Sequence, residues 1–425
     1  MDNPQESLLL RKVTLRLIPF LFLLYIIAYL DRVNVGFAKL QMQQALGFSD
    51  TVYGIGAGIF FLGYFIFEIP SNLILERVGA RKWIARIMVT WGILAVGMMY
   101  TTNTLMFYTM RFLLGIGEAG FFPGIILYLT YWYTSAERAR MVALFMTAVA
   151  FANIIGAPLS GALISIQGGG LAGWQWLFLL EGIPAILLGF VVLFYLPDNP
   201  RTAKWLQPAE RDLLLQRLEA EHETKADHSH ASLQAALKNP QIWQLALIYF
   251  CLNIGSYGIN MWLPQIIKDF GTLSSFQIGL LSAIPYIAGA IGIIVNGAHS
   301  DKTQERRLHV TGGAIMAGTG LLLSAVIPNP VGRLLSLALA QMGIMAMLSP
   351  FWALPTAFLV GTAAAGGIAF INSVGNLGGF VGPYMMGALK DKTGTFTIPL
   401  MALSTALFIG SVLTFTLSKH RAKPS

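Results

Sequence analysis

The sequence predicts an all-α membrane protein in which twelve transmembrane helices form two six-helix halves. Three observations predict it. First, the 425 residues are 55% hydrophobic and only 11% charged, whereas a soluble domain carries roughly 25% charged residues. Second, apolar runs of about 20 residues, enough to cross a hydrocarbon core as helix, recur twelve times along the chain. Third, landmarks of the first half return in the second at a constant offset of 225 positions.

The spans fall roughly at 17–41, 52–75, 83–101, 105–129, 141–166, 174–196, 242–267, 277–298, 309–327, 332–356, 363–389 and 395–418. The polar start, MDNPQESLLLRKVTLR, has no small-residue cleavage site after its first apolar run and reads as no removable signal. The first span carries Asp31 and Arg32. The second carries Glu68 before IPSN and ends in the loop NLILERVGARK. The fourth holds Arg111 and Glu118, the fifth GAPLSG around Pro158, and the sixth Glu181 before GIP. Residues 1–196 make the first half. Residues 197–241 are a cytoplasmic linker, and 242–425 make the second half. In the linker, the prolines of LPDNPRTAKWL stop the sixth helix. AERDLLLQRLEAE then spaces leucines helically among charges, as an amphipathic surface helix does. HETKADHSH holds three histidines and reads as a solvated linker ahead of a metal site. The lone Cys251 rules out an internal disulfide and reads as inert packing.

Charge distribution supports the count. With a cytoplasmic N-terminus, 21 of the 28 Lys and Arg residues lie on the inside. Five lie outside (Lys39, Lys268, Arg333, Lys390 and Lys392), and Arg32 and Arg111 lie within spans. This is the positive-inside asymmetry of an inner-membrane protein with both termini in the cytoplasm. The offset of 225 separates both Glu76 from Asp301 in matching loops and Pro158 from Pro383 in matching spans. Internal duplication of this kind belongs to secondary transporters, whose sites lie near the midplane between the halves.

Ionisable groups inside apolar runs cost about 2.5–3.5 kcal/mol each on insertion scales. Asp31, Arg32, Arg111 and Glu118 therefore point to a path for protons and a charged solute. Arg111 and Glu118 are two helical turns apart on one face. Asp31 and Arg32 point about 100° apart, so they cannot pair face to face. Glu68 and Glu181 each precede a proline by two residues and read as helix-end or helix–helix hydrogen bonds.

The segments YLDRVNVGFA, GYFIFEIPSNLILERVGARKW, RFLLGIGEAGFFPGIILYLTYWY, WQWLFLLEGIPAILLG and NSVGNLGGFVGPYMMG resemble the major facilitator superfamily, and within it the anion:cation symporter family. The chain departs from the superfamily's loop at Glu76, usually Asp, and at Ala80, commonly basic. Ala150 aligns with a glutamine of hexonate transporters, which weighs against a sugar acid. The resemblance implies proton-coupled uptake of an organic anion such as a sugar acid, tartrate, phthalate, nicotinate or hydroxyphenylacetate. It supports Asp31 and Glu118 as proton-coupling carboxyls and Arg32 as the anchor for a substrate carboxylate, which a guanidinium's planar fork fits. Tyr29 and Tyr64 match positions near the family's site. Tyr257, Asn253, Trp352, Asn372 and Asn376 are further substrate-binding candidates, although such aromatics also form interfacial belts and such amides also join helices. Arg111 is read as a charge-coupling residue or as a neutraliser of buried acids. Glu76, Arg77, Asp301 and Lys302 are read as a cytoplasmic gate that latches the outward-open state.

No phosphate loop, nucleophile elbow or metal-ligand cluster suggests an enzyme. The expected coupling ion is the proton, with no cofactor. The expected partners are a small organic anion and the lipid bilayer, with no nucleic acid, and the expected state is a monomer. An exporter or drug/proton antiporter of the same fold is the alternative; Arg32 argues against cationic solutes. A transporter-like sensor is remote, because a 45-residue central loop is too short for an output domain.

Overall fold

The first helix is longer than its apolar run. In the computed structural model, which describes residues 4–226, 239–356 and 361–417, α1 runs unbroken over Pro4–Leu46. Its 43 residues reach about 65 Å at 1.5 Å per residue, roughly twice a hydrocarbon core. The extra turns fold because Leu9, Val13 and Leu17 stripe one face and are buried. The linker helix α9 (Pro208–Ala226) is tied to this end of α1 by ion pairs. Lys12 pairs with Glu210 at 2.7 Å, and Arg217 bridges Glu6 and Glu137. The Lys12 ammonium and the Gln207 N–H hold the Glu210 carboxyl below the usual carboxylate range. The amphipathic reading of α9 thus resolves into a helix that buries Leu214 and Leu218. The side chains of the three-histidine tract lie outside the described residues.

The rest of the first half is α2 (Asp50–Val78), α3 (Ala80–Gly97), α4 (Thr104–Glu118), α5 (Phe121–Thr130), α6 (Ser135–Met146), α7 (Ala148–Leu163) and α8 (Gly173–Tyr195). The second half is α10 (Pro240–Lys268), α11 (Ser275–Thr303), α12 (Arg307–Val326), α13 (Pro330–Thr356), α14 (Gly361–Asn376), α15 (Gly378–Thr393) and α16 (Thr397–Phe415). Among the described residues, eleven stretches are long and apolar enough to cross a membrane. The expected eleventh span is cut by a tight turn at Leu377 into two 16-residue helices, α14 and α15. The fourth span is also divided. Gly120 takes φ +85° between α4 and α5, a conformation that a β-carbon strains. A β-carbon there would also strike the Ser71 side chain.

The halves meet through α2 on α15, α7 on α11, and α1 on α10. These contacts obey the 225 offset. A β-carbon on Gly54 would hit the Pro383 backbone; one on Gly279 would hit the backbone at Ala157 and Pro158. Gly54 maps onto Gly279 and Pro158 onto Pro383, so the two seams are one contact used twice. Along α1 and α10, Arg32 touches Tyr257, its own equivalent. Only groups on a twofold axis touch their own equivalents. Arg32 therefore sits on the pseudo-twofold axis between the halves.

A polar cluster closes the end of the bundle that carries Asp50. Lys39 pairs with Asp50 at 2.6 Å and lies 3.6 Å from the Trp262 ring centroid. The Asp391 carboxylate accepts the first N–H groups of α2, from Asp50 at 3.0 Å and Thr51 at 2.7 Å. Tyr53 donates to the Met261 carbonyl at 2.7 Å, and Lys268 to that of Leu40 at 3.3 Å. Lys39, assigned by sequence to an outer loop, is instead 1% exposed, because α1 continues past it and Asp50 supplies its counter-charge.

Candidate functional site

Four helices bring the central polar groups together. Arg32 projects from α1 with its Nη2 against Glu118 Oε1 of α4, a buried ion pair. Its Nη1 donates to the Tyr257 hydroxyl of α10 at 3.4 Å. The rings of Tyr29, Phe60 and Tyr64 surround the guanidinium, with centroids 5.7, 5.5 and 5.5 Å from Cζ. Aromatic faces stabilise a cation in such a box. The α4 helix stops at Glu118, which leaves its carboxyl at a helix end close to the axis. Arg32 Nε and Glu118 Oε2 have no hydrogen-bond partner among the described residues.

Asp31, next in sequence to Arg32, takes no part in that ion pair. Its Oδ1 accepts from the Asn34 amide one helical turn on, at 3.2 Å, and its Oδ2 has no partner among the described residues. It faces away from the Arg32–Glu118 pair, as the 100° helical step requires. Arg111 is fully buried and donates to the Gly56 and Ala57 carbonyls of α2, both at 3.2 Å. It pairs with no carboxylate among the described residues. It clamps α4 to α2 while remaining within electrostatic reach of Asp31 and Glu118.

Of the other candidates, Tyr257 also packs against Phe61, its ring tilted and the centroids 4.3 Å apart, so it joins the halves as well as touching Arg32. Asn253 is buried on α10 beside Tyr249. Asn372 makes no contact with Arg32 among the described residues; its amide donates to Glu68 Oε1 of α2 across the halves at 2.8 Å. Glu68 is therefore held by a partner from the other half. Trp352 packs on Tyr249 and Phe351 in its own half, and Asn376 is buried. Neither contacts Arg32 among the described residues. Glu76, Arg77 and Lys302 are exposed. Asp301 pairs with Arg306 of its own loop, and no ion pair joins the two gate loops among the described residues. Sequence reasoning overlooked Asn34 and Ser160. The only available signal was spacing, with Asn34 one turn from Asp31; Ser160 donates to Glu181 Oε1 at 2.7 Å.

A buried arginine–carboxylate pair between two similar helical halves is the arrangement found in secondary transporters. The family model of the Major Facilitator Superfamily matches residues 21–383, and the chain belongs to that superfamily, a family of transporters. It is 50% identical over 420 residues to a putative tartrate transporter of Agrobacterium vitis, covering 99% of this chain and 96% of the relative. It is 43% identical over 411 residues to a quinolone resistance transporter of Acinetobacter baumannii, covering 96% and 95%. The fold matches the crystal structure of a bacterial homolog of the human lysosomal transporter Spinster, in an inward-facing and occupied conformation. That match has a TM-score of 0.77 at 16% identity and covers 98% and 97% of the two chains. The narrower resemblance to the anion:cation symporter family agrees with the tartrate relative.

Proposed function

We propose that this protein is a proton-coupled symporter of the inner membrane that takes up a small organic anion, a carboxylate, by alternating access. The observation that carries the reading is the buried Arg32–Glu118 pair on the axis between the halves. A substrate carboxylate needs the same guanidinium that Glu118 occupies. Protonating Glu118 removes its charge and frees Arg32 for the substrate, so proton and anion load together. Asp31 takes up a second proton. Tyr29, Tyr64 and Tyr257 stand around the anion as hydroxyl donors. With the charges neutralised, the halves can rock across a low-dielectric interior. Loss of the protons to the cytoplasm restores Arg32–Glu118 and expels the anion.

Both termini are assigned to the cytoplasm, as the positive-inside count requires. The end sealed by Lys39, Asp50 and Asp391 is then periplasmic, and Glu76, Arg77, Asp301 and Lys302 form the gate that latches in the opposite state. The proton is the coupling ion, no cofactor takes part, and the working unit is a monomer. The tartrate relative makes a hydroxylated dicarboxylate the first substrate to try.

The test is uptake of labelled tartrate, phthalate, nicotinate, hydroxyphenylacetate and a hexonate into proteoliposomes, with and without an inward proton gradient. Gradient-driven accumulation of one acid is expected. Failure of every acid in correctly inserted protein overturns the reading. A second reading, export, has one observation in its favour: the relative named as a quinolone resistance transporter. A strain expressing the chain that gains quinolone resistance would select it.

A further inference from the structure

The central mechanism leaves two buried acids unused: Glu68, which Asn372 holds, and Glu181. Glu181 of α8 is 4% exposed and accepts from Ser160 of α7 at 2.7 Å through Oε1, while Oε2 has no partner among the described residues. Asp31 of α1, 1% exposed, lies within electrostatic reach of Glu181 and likewise has an unpartnered oxygen. The Asn34 amide faces both: it donates to Asp31, it lies beside Glu181, and its own Oδ1 finds no donor among the described residues. Around this group, α3 contributes the buried Trp91, and α4 acts from further off through Glu118 and Arg111. Neither cation pairs here. Arg32 is taken by Glu118, and Arg111 by the carbonyls of α2.

Two buried ionised carboxylates with no cation paired to either are electrostatically untenable. At least one proton therefore resides on the pair, where its O–H can serve an acceptor that otherwise has none. We propose that Glu181 is a third proton-coupling carboxyl, which shares a transported proton with Asp31 beside Asn34. When Asp31 has lost its proton, the O–H bond at Glu181 breaks as one forms at Asp31. The charge of the pair is unchanged by that transfer and becomes more negative only when the proton leaves the protein. Aspartic dyads hold protons by the same repulsion between neighbouring carboxylates. The inference rests on the symport reading for its role in transport, but protonation of the pair can be read separately.

The experiment is infrared difference spectroscopy on the full chain in proteoliposomes, stepping the pH and then adding tartrate, with uptake measured on the same samples. Wild type is expected to show protonated-carboxyl C=O bands that respond to pH. Glu181→Gln is expected to remove one band, move the Asp31 band and lose gradient-driven accumulation. Glu181→Asp keeps a titratable carboxyl and is expected to recover accumulation in part. Ser160→Ala deletes only the donor to Glu181 and is expected to shift the Glu181 band in a folded protein. The proposal is overturned if Glu181→Gln removes no band, or if it removes a band yet accumulates substrate as wild type does. If wild type shows the bands but accumulates no acid, the symport reading fails while the shared proton stands.

Discussion

Replacing Glu118 with glutamine separates the two jobs of the central ion pair. The substitution keeps the side chain's size and one acceptor oxygen but removes the charge opposite Arg32. In the substrate-free protein, Arg32 keeps the Tyr257 hydroxyl at 3.4 Å and the three surrounding rings. It loses its only carboxylate among the described residues. Removing one partner of a buried pair costs about 3–5 kcal/mol, so the empty variant melts below wild type. A substrate carboxylate then meets an unoccupied guanidinium. One charge-assisted contact is worth about 1.5–3 kcal/mol, which at about 1.4 kcal/mol per decade is roughly ten- to a hundredfold in affinity at neutral pH. The pH dependence changes as well. In wild type, lowering the pH protonates Glu118 and frees Arg32, so affinity for an ionised anion rises as pH falls. In Glu118→Gln nothing titrates against Arg32, and affinity loses the part of its pH dependence that Glu118 supplies. Tartrate binding by calorimetry at several pH values, with melting curves at zero and saturating tartrate, measures both effects. The variant is expected to gain more thermal stability from tartrate than wild type does. A variant that keeps the wild-type pH profile, or that still accumulates substrate along a proton gradient, would refute competition between Glu118 and substrate for Arg32.

Three further outcomes follow from the packing. Arg111→Gln gives up two charge-assisted bonds to the Gly56 and Ala57 carbonyls; it should lose about 3 kcal/mol or more of stability, seen as a lower melting temperature, and a wild-type melt would remove the clamp role. Asp391→Asn removes the charge that the α2 N-terminus attracts, worth about 0.3–1 kcal/mol, and should open that end up to roughly fivefold more often. Maleimide labelling of a cysteine at Phe61, in a Cys251→Ser background, reads the opening; unchanged labelling counts against the seal. Gly54→Leu and Gly279→Leu should each raise that labelling further, because both seams require close backbone approach, and an effect at only one of them would contradict the twofold relation of the halves.

How far the site could be read beforehand varies by residue. Arg32, Glu118, Tyr29, Tyr64 and Tyr257 were singled out as site residues and do converge, since charges in apolar runs must find one another or a polar path. Asn372, Asn376 and Trp352 are weaker candidates by sequence; Asn372 donates to Glu68 and Trp352 packs within its own half. An amide's partner depends on which helix lies opposite, and helical spacing cannot report that. Arg111 shows the same limit, because its partners are backbone carbonyls, which every residue has. Lys39 looked like a loop lysine because a cation near the end of an apolar run usually is one. Its counter-charge, Asp50, lies across the turn that follows α1.

The sequence alone determined the class. The bilayer demands length and apolarity from each span, and those demands are written locally, as are the Lys/Arg asymmetry and the 225-residue repeat. Only the tertiary structure decided where the repeat's axis passes, that Glu118 rather than Asp31 holds Arg32, and that Asp31 shares its surroundings with Asn34 and Glu181. Those pairings depend on distances between helices remote in sequence, and a buried charge takes whichever partner the packed helices bring within reach.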